Sequence, residues 1–300
     1  MTPDEFGKHY HYLVFKNACH ERKGSAFQTF FEGIMHKHDA TFISVKPSGR
    51  EGDWKCDGFS SGSGTVYQCY SPEGLTAARA EKKVREDFSG ALNYWKEEMV
   101  GWIFVWSAHD SLPPQVLMAL QTLRSGDHSV TINDWSREHL WTIVKKLPQD
   151  VRVELLGHVP QVSAAPDMTA AEIKTLLTFL ACHESTVDSE NFDLTDIAEK
   201  LKKNRLSSSV RALVTPAVPI ARIVQSYLTK HPDPDFSSRA ARALTEEYMR
   251  LAATELKDAD QVFWKIVQYV ASNDLNDQKR FWAALGIVSH YFELCDIFER

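Results

Sequence analysis

The sequence predicts an α/β domain followed by an all-α domain. Three observations carry this. Between residues 25 and 148, short apolar runs of strand length alternate with stretches in which apolar residues recur at helical spacing. Beyond about residue 168 only the helical period remains. Between the two, GHVPQVSAAPDM is poor in hydrophobic residues and carries two prolines, which sets a linker at about 157–168. The expected domains are therefore 1–157 and 168–300.

Residues 1–20 are aromatic and His-rich without a clean period, and HYHYLVFKNA fits a strand or a short helix. From Gly24 the register clears. Ser25 is placed to cap a helix whose apolar residues Phe27, Phe30, Phe31, Ile34 and Met35 lie on one face, with Glu32 in its middle. A strand, TFISVKP, is ended by Pro47 and the turn SGREGD. KCDGFSS and TVYQCYS read as a hairpin around Gly62 and Gly64. Glu73 to Trp95 is helical, with Glu73 at the start, where a carboxylate suits the macrodipole. GWIFVWSA has the uninterrupted apolarity of a strand buried on both faces. PPQVLMALQTLRS is a helix opened by proline, SVTINDW a strand, and SREHLWTIVKKLP a helix capped by Ser136. This order gives a mixed sheet flanked by helices.

After the linker, Thr169 caps AAEIKTLLTFLACH. Five helical stretches follow, beginning at NFDLTDIAEKLKKN, SSSVRALV, SSRAARAL, DADQVFW and DQKRFWAAL. Pro216 and Pro219 are expected to break the second of these into two.

Composition narrows the function classes. The chain has 300 residues, 43% of them hydrophobic, with eight Trp and sixteen Phe, enough for two ordinary cores. A formal charge of −6 gives no bulk attraction to nucleic acid, so any such binding needs a local basic surface. Five scattered cysteines without a CxxC pair suggest reduced thiols in a cytoplasmic protein. The N-terminus lacks the pattern of a signal peptide, and the longest apolar runs are far shorter than the roughly 20 residues of a membrane helix, so no membrane role is expected. Phosphate-loop and GxSxG signatures are absent.

The chemistry concentrates between Glu32 and Glu73. In an extended chain Asp53, Lys55 and Asp57 share one face, and Gln68 and Tyr70 share a face of the next strand. Charges turned inward from paired strands are costly unless a metal or counter-charge meets them. Nucleases of the PD-(D/E)XK type need hard oxygen ligands for Mg²⁺ and a cation near the scissile phosphate. They draw these from a helix Glu, a strand Asp, and acid-x-Lys on the next strand. Here the order is Glu32, Asp57, then Gln68-Cys69-Tyr70, so Gln replaces the acid and Tyr the lysine. Lys55, Lys82 or Lys83 can supply the missing charge, and Asp53-Trp54-Lys55 also has acid-x-Lys spacing.

Simpler readings stand beside these. His36 and His38, two apart on a helix, do not share a face and make a poor zinc pair. His9 and His11 would share a strand face but have no third ligand near in sequence. Cys56 and Cys69 read as small core residues. The basic run Lys200, Lys202, Lys203 and Arg205 follows Asp193, Asp196 and Glu199, as on a solvated helix face.

FQTFFEGIM, FISVKPSGREGDWKCDGF and YQCYSPE resemble the PD-(D/E)XK-like effector domain of bacterial ABC-three-component conflict systems, which include Lamassu-type antiphage defence. GWIFVWSAHDSLPPQVLMALQTL and INDWSREHLWTIVKKL look like the rest of that domain. EKLKKNRLSSSVRALVTPAVPIARIVQSYL and the Pro-Asp-Pro stretch before ARALTEEYMRL are similar to the helical C-terminal domain of such systems. The resemblance implies a restriction-endonuclease-like fold and a Mg²⁺-dependent endonuclease, with Mn²⁺ as a substitute. Its substrate is double-stranded DNA, and its partners are an ABC/SMC-like ATPase and a small middle component. Metal-ligand roles carry over to Glu32, Asp57 and Gln68, while the lysine position holds Tyr70. The C-terminal domain becomes a docking module, and an idle enzyme would be held as an inactive homo-oligomer or in a clamped complex. The rival expectations are a catalytically degenerate adaptor that binds DNA or proteins, and a type II restriction enzyme.

Overall fold

A computed structural model of the chain describes residues 1–46, 53–74, 76–107, 112–164, 170–182, 206–254 and 258–293. Two compact units emerge: Phe15–Leu156, and Met1–Val14 together with Gly157–Arg300.

The first unit is mixed α/β. A five-stranded sheet runs β1 (Phe42–Ser44), β2 (Gly58–Ser60), β3 (Thr65–Tyr70), β4 (Gly101–Trp106), β5 (Thr131–Trp135), with spatial order equal to chain order. The first three strands are antiparallel, as the hairpin at Gly64 (φ +63°) requires, and β3–β4–β5 are parallel. Parallel pairing puts Val66, Gln68 and Tyr70 opposite Trp102, Phe104 and Trp106. That face is covered by α3 (Ala77–Tyr94) and α4 (Pro114–Arg124) through Ala80, Val84, Phe88, Val116 and Leu120. The other face carries Tyr67, which meets Phe31 of α2 (Ser25–His38) at 5.5 Å and Trp135 at 5.4 Å. The fully apolar β4 is buried along almost its whole length, as expected of a central parallel strand.

Several expectations change. Residues 3–21 form one helix, α1, which the aromatic run left open between strand and helix. His9 and His11 therefore do not share a strand face. His9 bonds Ser209 Oγ (3.0 Å) and His11 bonds the Gly157 carbonyl (2.9 Å). Gly24, at φ +51°, is the N-cap of α2 in place of the Ser25 hydroxyl. Thr76, whose Oγ1 accepts from the Arg79 N–H, caps α3 in place of Glu73. After α5 (Arg137–Val144), where Ser136 is the N-cap as expected, the short helix α6 (Gln149–Leu156) was not read from sequence. Asp53–Lys55 form a turn, with Trp54 and Lys55 at φ +53° and +58°, so the expected strand alternation of Asp53, Lys55 and Asp57 fails. The turn SGREG and the helix NFDLTDIAEKLKKN lie outside the described residues, as do Thr169, the basic run at 200–205 and the acidic residues Asp193, Asp196 and Glu199 before it.

The second unit is helical: α7 (Ala170–Ala181), α8 (Ser208–Thr229), α9 (Phe236–Ala252), α10 (Ala259–Val270) and α11 (Gln278–Glu293). Contrary to the sequence expectation, α8 runs unbroken through Pro216 and Pro219. Both prolines sit off the buried stripe of Leu213, Val214, Ala217, Ile220 and Val224, so the carbonyls they orphan are not sealed in the core. Phe6 and Tyr10 of α1 join this core against Trp282, Phe281 and Trp264. Among the described residues no helix is long and apolar enough to cross a membrane.

Candidate functional site

The end of β3 is pinned to the start of α2. The Gly24 N–H donates to the Ser71 carbonyl (2.7 Å), and Ser71 Oγ donates to the Arg22 carbonyl (3.0 Å). Beside this junction a cavity of about 300 Å³ is lined by Gln28, Asp53, Asp57, Gln68, Tyr70 and Lys83. Four of the six residues proposed from sequence thus reach one hollow. Glu32 is not among the lining residues; on α2 it accepts from Gln28 Nε2 at 3.0 Å.

Asp57 directly precedes β2 and is 6% exposed. Its Oδ2 accepts the Cys69 N–H at 2.7 Å, and its own N–H donates to the Tyr67 carbonyl at 2.9 Å. Both bonds fix the carboxylate on the edge of β3. Burial pushes its pKa up to about 7; the Asp53 and Asp87 charges add to this, while the Cys69 N–H and Lys83 oppose it. Gln68 is 4% exposed, and its Oε1 has no hydrogen-bond partner among the described residues. A buried amide oxygen left bare costs about 1–3 kcal/mol, so the geometry favours a partner from outside the chain. Tyr70 packs on Phe104 and Trp106, and burial raises the pKa of its phenol, which stays neutral at physiological pH.

The cation at the cavity comes from α3. Lys83 Nζ lies 6.0 Å from the Tyr70 ring centroid and pairs with Asp87, a carboxylate only 1% exposed. Lys55 does not line the cavity. From its turn it crosses Gly90 and pairs with the other oxygen of Asp87 at 3.3 Å. Lys82, the third lysine considered, faces Glu86 at 3.5 Å and is 74% exposed. Sequence reasoning missed Gln28 and Asp87. Asp87 had a signal: it falls on the apolar stripe of Ala80, Val84, Phe88 and Ala91, where an acid needs a partner.

The bland readings also resolve. His36 bonds Ser44 Oγ at 2.9 Å and stacks edge-on to Phe42. Cys56 is a core residue, whereas Cys69 is only half-buried. Cys19, Cys56, Cys69 and Cys182 are free thiols. Among the described residues no three His, Cys, Asp or Glu side chains converge as a metal cluster.

The oxygen set tests the fit of a metal. Asp57 offers one buried carboxylate and Gln68 one amide oxygen unpartnered among the described residues, and Asp53 also lines the cavity. Mg²⁺ binds through one or two protein oxygens and keeps several waters, so this sparse hard-oxygen set suits Mg²⁺ and does not suit zinc.

In comparisons with known proteins, residues 171–299 match the family model for C-terminal domain 10 of the ABC-three component (ABC-3C) systems. The helical C-terminal part of the chain is similar to that domain. No curated protein and no solved structure matches the chain.

Proposed function

We propose that the chain is an effector component of an ABC-three-component defence system, and that its α/β unit is a metal-dependent DNA endonuclease of the PD-(D/E)XK kind with a restriction-endonuclease-like fold. The observation that carries this reading is the cavity lined by buried Asp57, buried Gln68 and the cation of Lys83 at the end of a strand. Asp57 and Gln68 would hold Mg²⁺ or Mn²⁺. When bound, the ion lowers the pKa of a coordinated water and offsets charge developing on the phosphate. Glu32, through Gln28, holds the α2 side of the cavity in place. Lys83 faces the phosphate and takes the role of the lysine that Tyr70 cannot fill. Hydrolysis forms a new P–O bond from water and breaks the bond to the leaving sugar oxygen, which takes up a proton. The helical unit docks the effector to an ABC/SMC-like ATPase and a small middle component that control it.

The test is plasmid cleavage by the full chain with Mg²⁺ or Mn²⁺, alone and with its co-encoded ATPase. Asp57→Ala should lower the rate by more than the roughly 10–100-fold lost when an outer partner of a metal ligand is removed. Lys83→Met should lower it strongly and Lys55→Met only weakly. An Asp57→Ala protein that cuts as fast as wild type sinks the assignment.

A second reading, a degenerate adaptor that binds DNA or partner proteins without cutting, is favoured by one observation. Gln68 and Tyr70 stand where an acid and a lysine are expected, leaving a single buried carboxylate in the cavity. Intact DNA binding with no cleavage in either mixture selects it.

A further inference from the structure

A groove of about 700 Å³ opens on the helical unit. Its wall is one face of α8 and its C-cap, where Arg222, Ile223, Tyr227 and the C-cap Lys230 span about two helical turns, roughly 12 Å. Lys174 of α7 faces them, and Pro232 closes the end.

Two features point to an occupant. The first is unspent charge. Among the described residues, Lys174, Arg222 and Lys230 make no ion pair, whereas nearby Arg239 is held by Asp233 at 2.6 Å and Arg250 by Glu247 at 2.6 Å. The 22 residues of α8 include no Asp or Glu, so a positive strip stands on a chain whose formal charge is −6. The second is an apolar floor. Ile223 is 37% exposed, and the half-buried Tyr227 ring and Pro232 continue its surface. A large aliphatic side chain on a helix surface gains when another molecule covers it.

The alternatives fit less well. A small metabolite would be read by convergent buried polar groups, and each charged or hydroxyl side chain lining this groove is exposed or half-exposed. A nucleic acid would meet a broad basic surface, whereas this groove carries three cations around a narrow floor of Ile223, Tyr227 and Pro232. Cations on the rim of an apolar trough two turns long match the helix-in-groove mode, with acidic residues flanking the apolar anchors.

We infer that this groove docks an acidic amphipathic helix from a partner protein. Leu- or Phe-type side chains would lie on Ile223 and Tyr227, with carboxylates against Lys174, Arg222 and Lys230. This stands whether or not the α/β unit cuts DNA.

The probe is a fluorescein-labelled peptide about four helical turns long (roughly 15 residues), with Leu and Phe at helical spacing and Glu elsewhere. Three controls accompany it: the same peptide with Lys for Glu, a scrambled peptide of identical composition, and a DNA duplex. Fluorescence anisotropy with the full chain should show salt-dependent binding of the acidic amphipathic peptide and none of the Lys version. Arg222→Glu combined with Lys230→Glu should weaken binding roughly tenfold or more, largely independent of fold because both side chains are exposed. Ile223→Ser should weaken it at every salt concentration. Equal binding of the scrambled peptide overturns the inference. So does binding unchanged by charge reversal, or tighter binding of the duplex through the same three cations.

Discussion

Asp87 accepts Lys83 on one carboxylate oxygen and Lys55 on the other, and it is 1% exposed on the buried stripe of α3. Its charge holds Lys83 at the mouth of the cavity. Asp87→Asn keeps the shape and removes the charge, so two ammonium groups lose their counter-ion at once. Removing one partner of a fully buried pair costs about 3–5 kcal/mol, but these lysines are 35% and 46% exposed, so we expect about 2 kcal/mol in urea denaturation. Lys55→Met in the Asp87→Asn background should cost much less than Lys55→Met alone, which a double-mutant cycle measures directly. An Asp87→Asn protein as stable as wild type would remove Asp87 from this role. The sequence showed Asp57, Gln68 and Tyr70 near each other, because a hairpin with Gly at its turn keeps them close in the chain. It misjudged Lys55. The turn at Asp53–Lys55 takes two non-glycine residues to positive φ, which is uncommon. The turn is held by Trp54 stacked on Tyr94 (5.6 Å, 7°) and by Trp95 Nε1 donating to the Trp54 carbonyl (3.2 Å). Those partners lie some forty positions away, beyond the reach of any local pattern.

At the scale of elements, α8 and α11 cross closely at Gly286, and a Cβ there would overlap Cγ2 of Ile220 and come within 2.8 Å of its Cβ. On an isolated helix Gly→Ala gains about 1 kcal/mol. Here the β-branched Ile220 has one strongly preferred rotamer and no room to yield, so Gly286→Ala should destabilise by about 1–3 kcal/mol of overpacking. Ile220→Ala in the Gly286→Ala background should recover part of that loss, and thermal melts of the four proteins test both signs. Apolar period made α2–α5 and α8–α11 legible and one uniform apolar run made β4 legible, while of the expected caps Ser136 of α5 holds and those of α2 and α3 give way to Gly24 and Thr76. The prolines of α8 misled, because local propensity argues for a break while packing of the opposite face outweighs it. The first helix stayed ambiguous for a related reason: Phe6, Tyr10 and Leu13 fall on one stripe and Phe15, Ala18 and Cys19 on another, so no single amphipathic period emerges.

At the scale of the whole molecule, chain order and compact units do not coincide, since residues 1–14 cluster with 157–300. A linker rich in proline and poor in hydrophobics marks a boundary in sequence, but nothing in residues 1–14 announces that their partners lie after residue 157. The contacts are specific. Phe6 stacks on Trp282 at 5.8 Å, Tyr10 meets Trp264 and Phe281 edge-on at 5.5 and 5.6 Å, and Leu13 is 1% exposed in the same core. Each such side chain is worth about 1.5–3 kcal/mol of burial, and a domain's net stability is about 5–15 kcal/mol. Removing three together therefore consumes a large share of the helical unit's margin and bares Phe281 and Trp282 to water. A chain truncated to 157–300 should show a lower urea midpoint and bind a hydrophobic dye, while the same piece with residues 1–14 supplied as a peptide should regain protection. Equal midpoints for 157–300 with and without the peptide would mean that the amino-terminal stripe merely rests on a core complete without it.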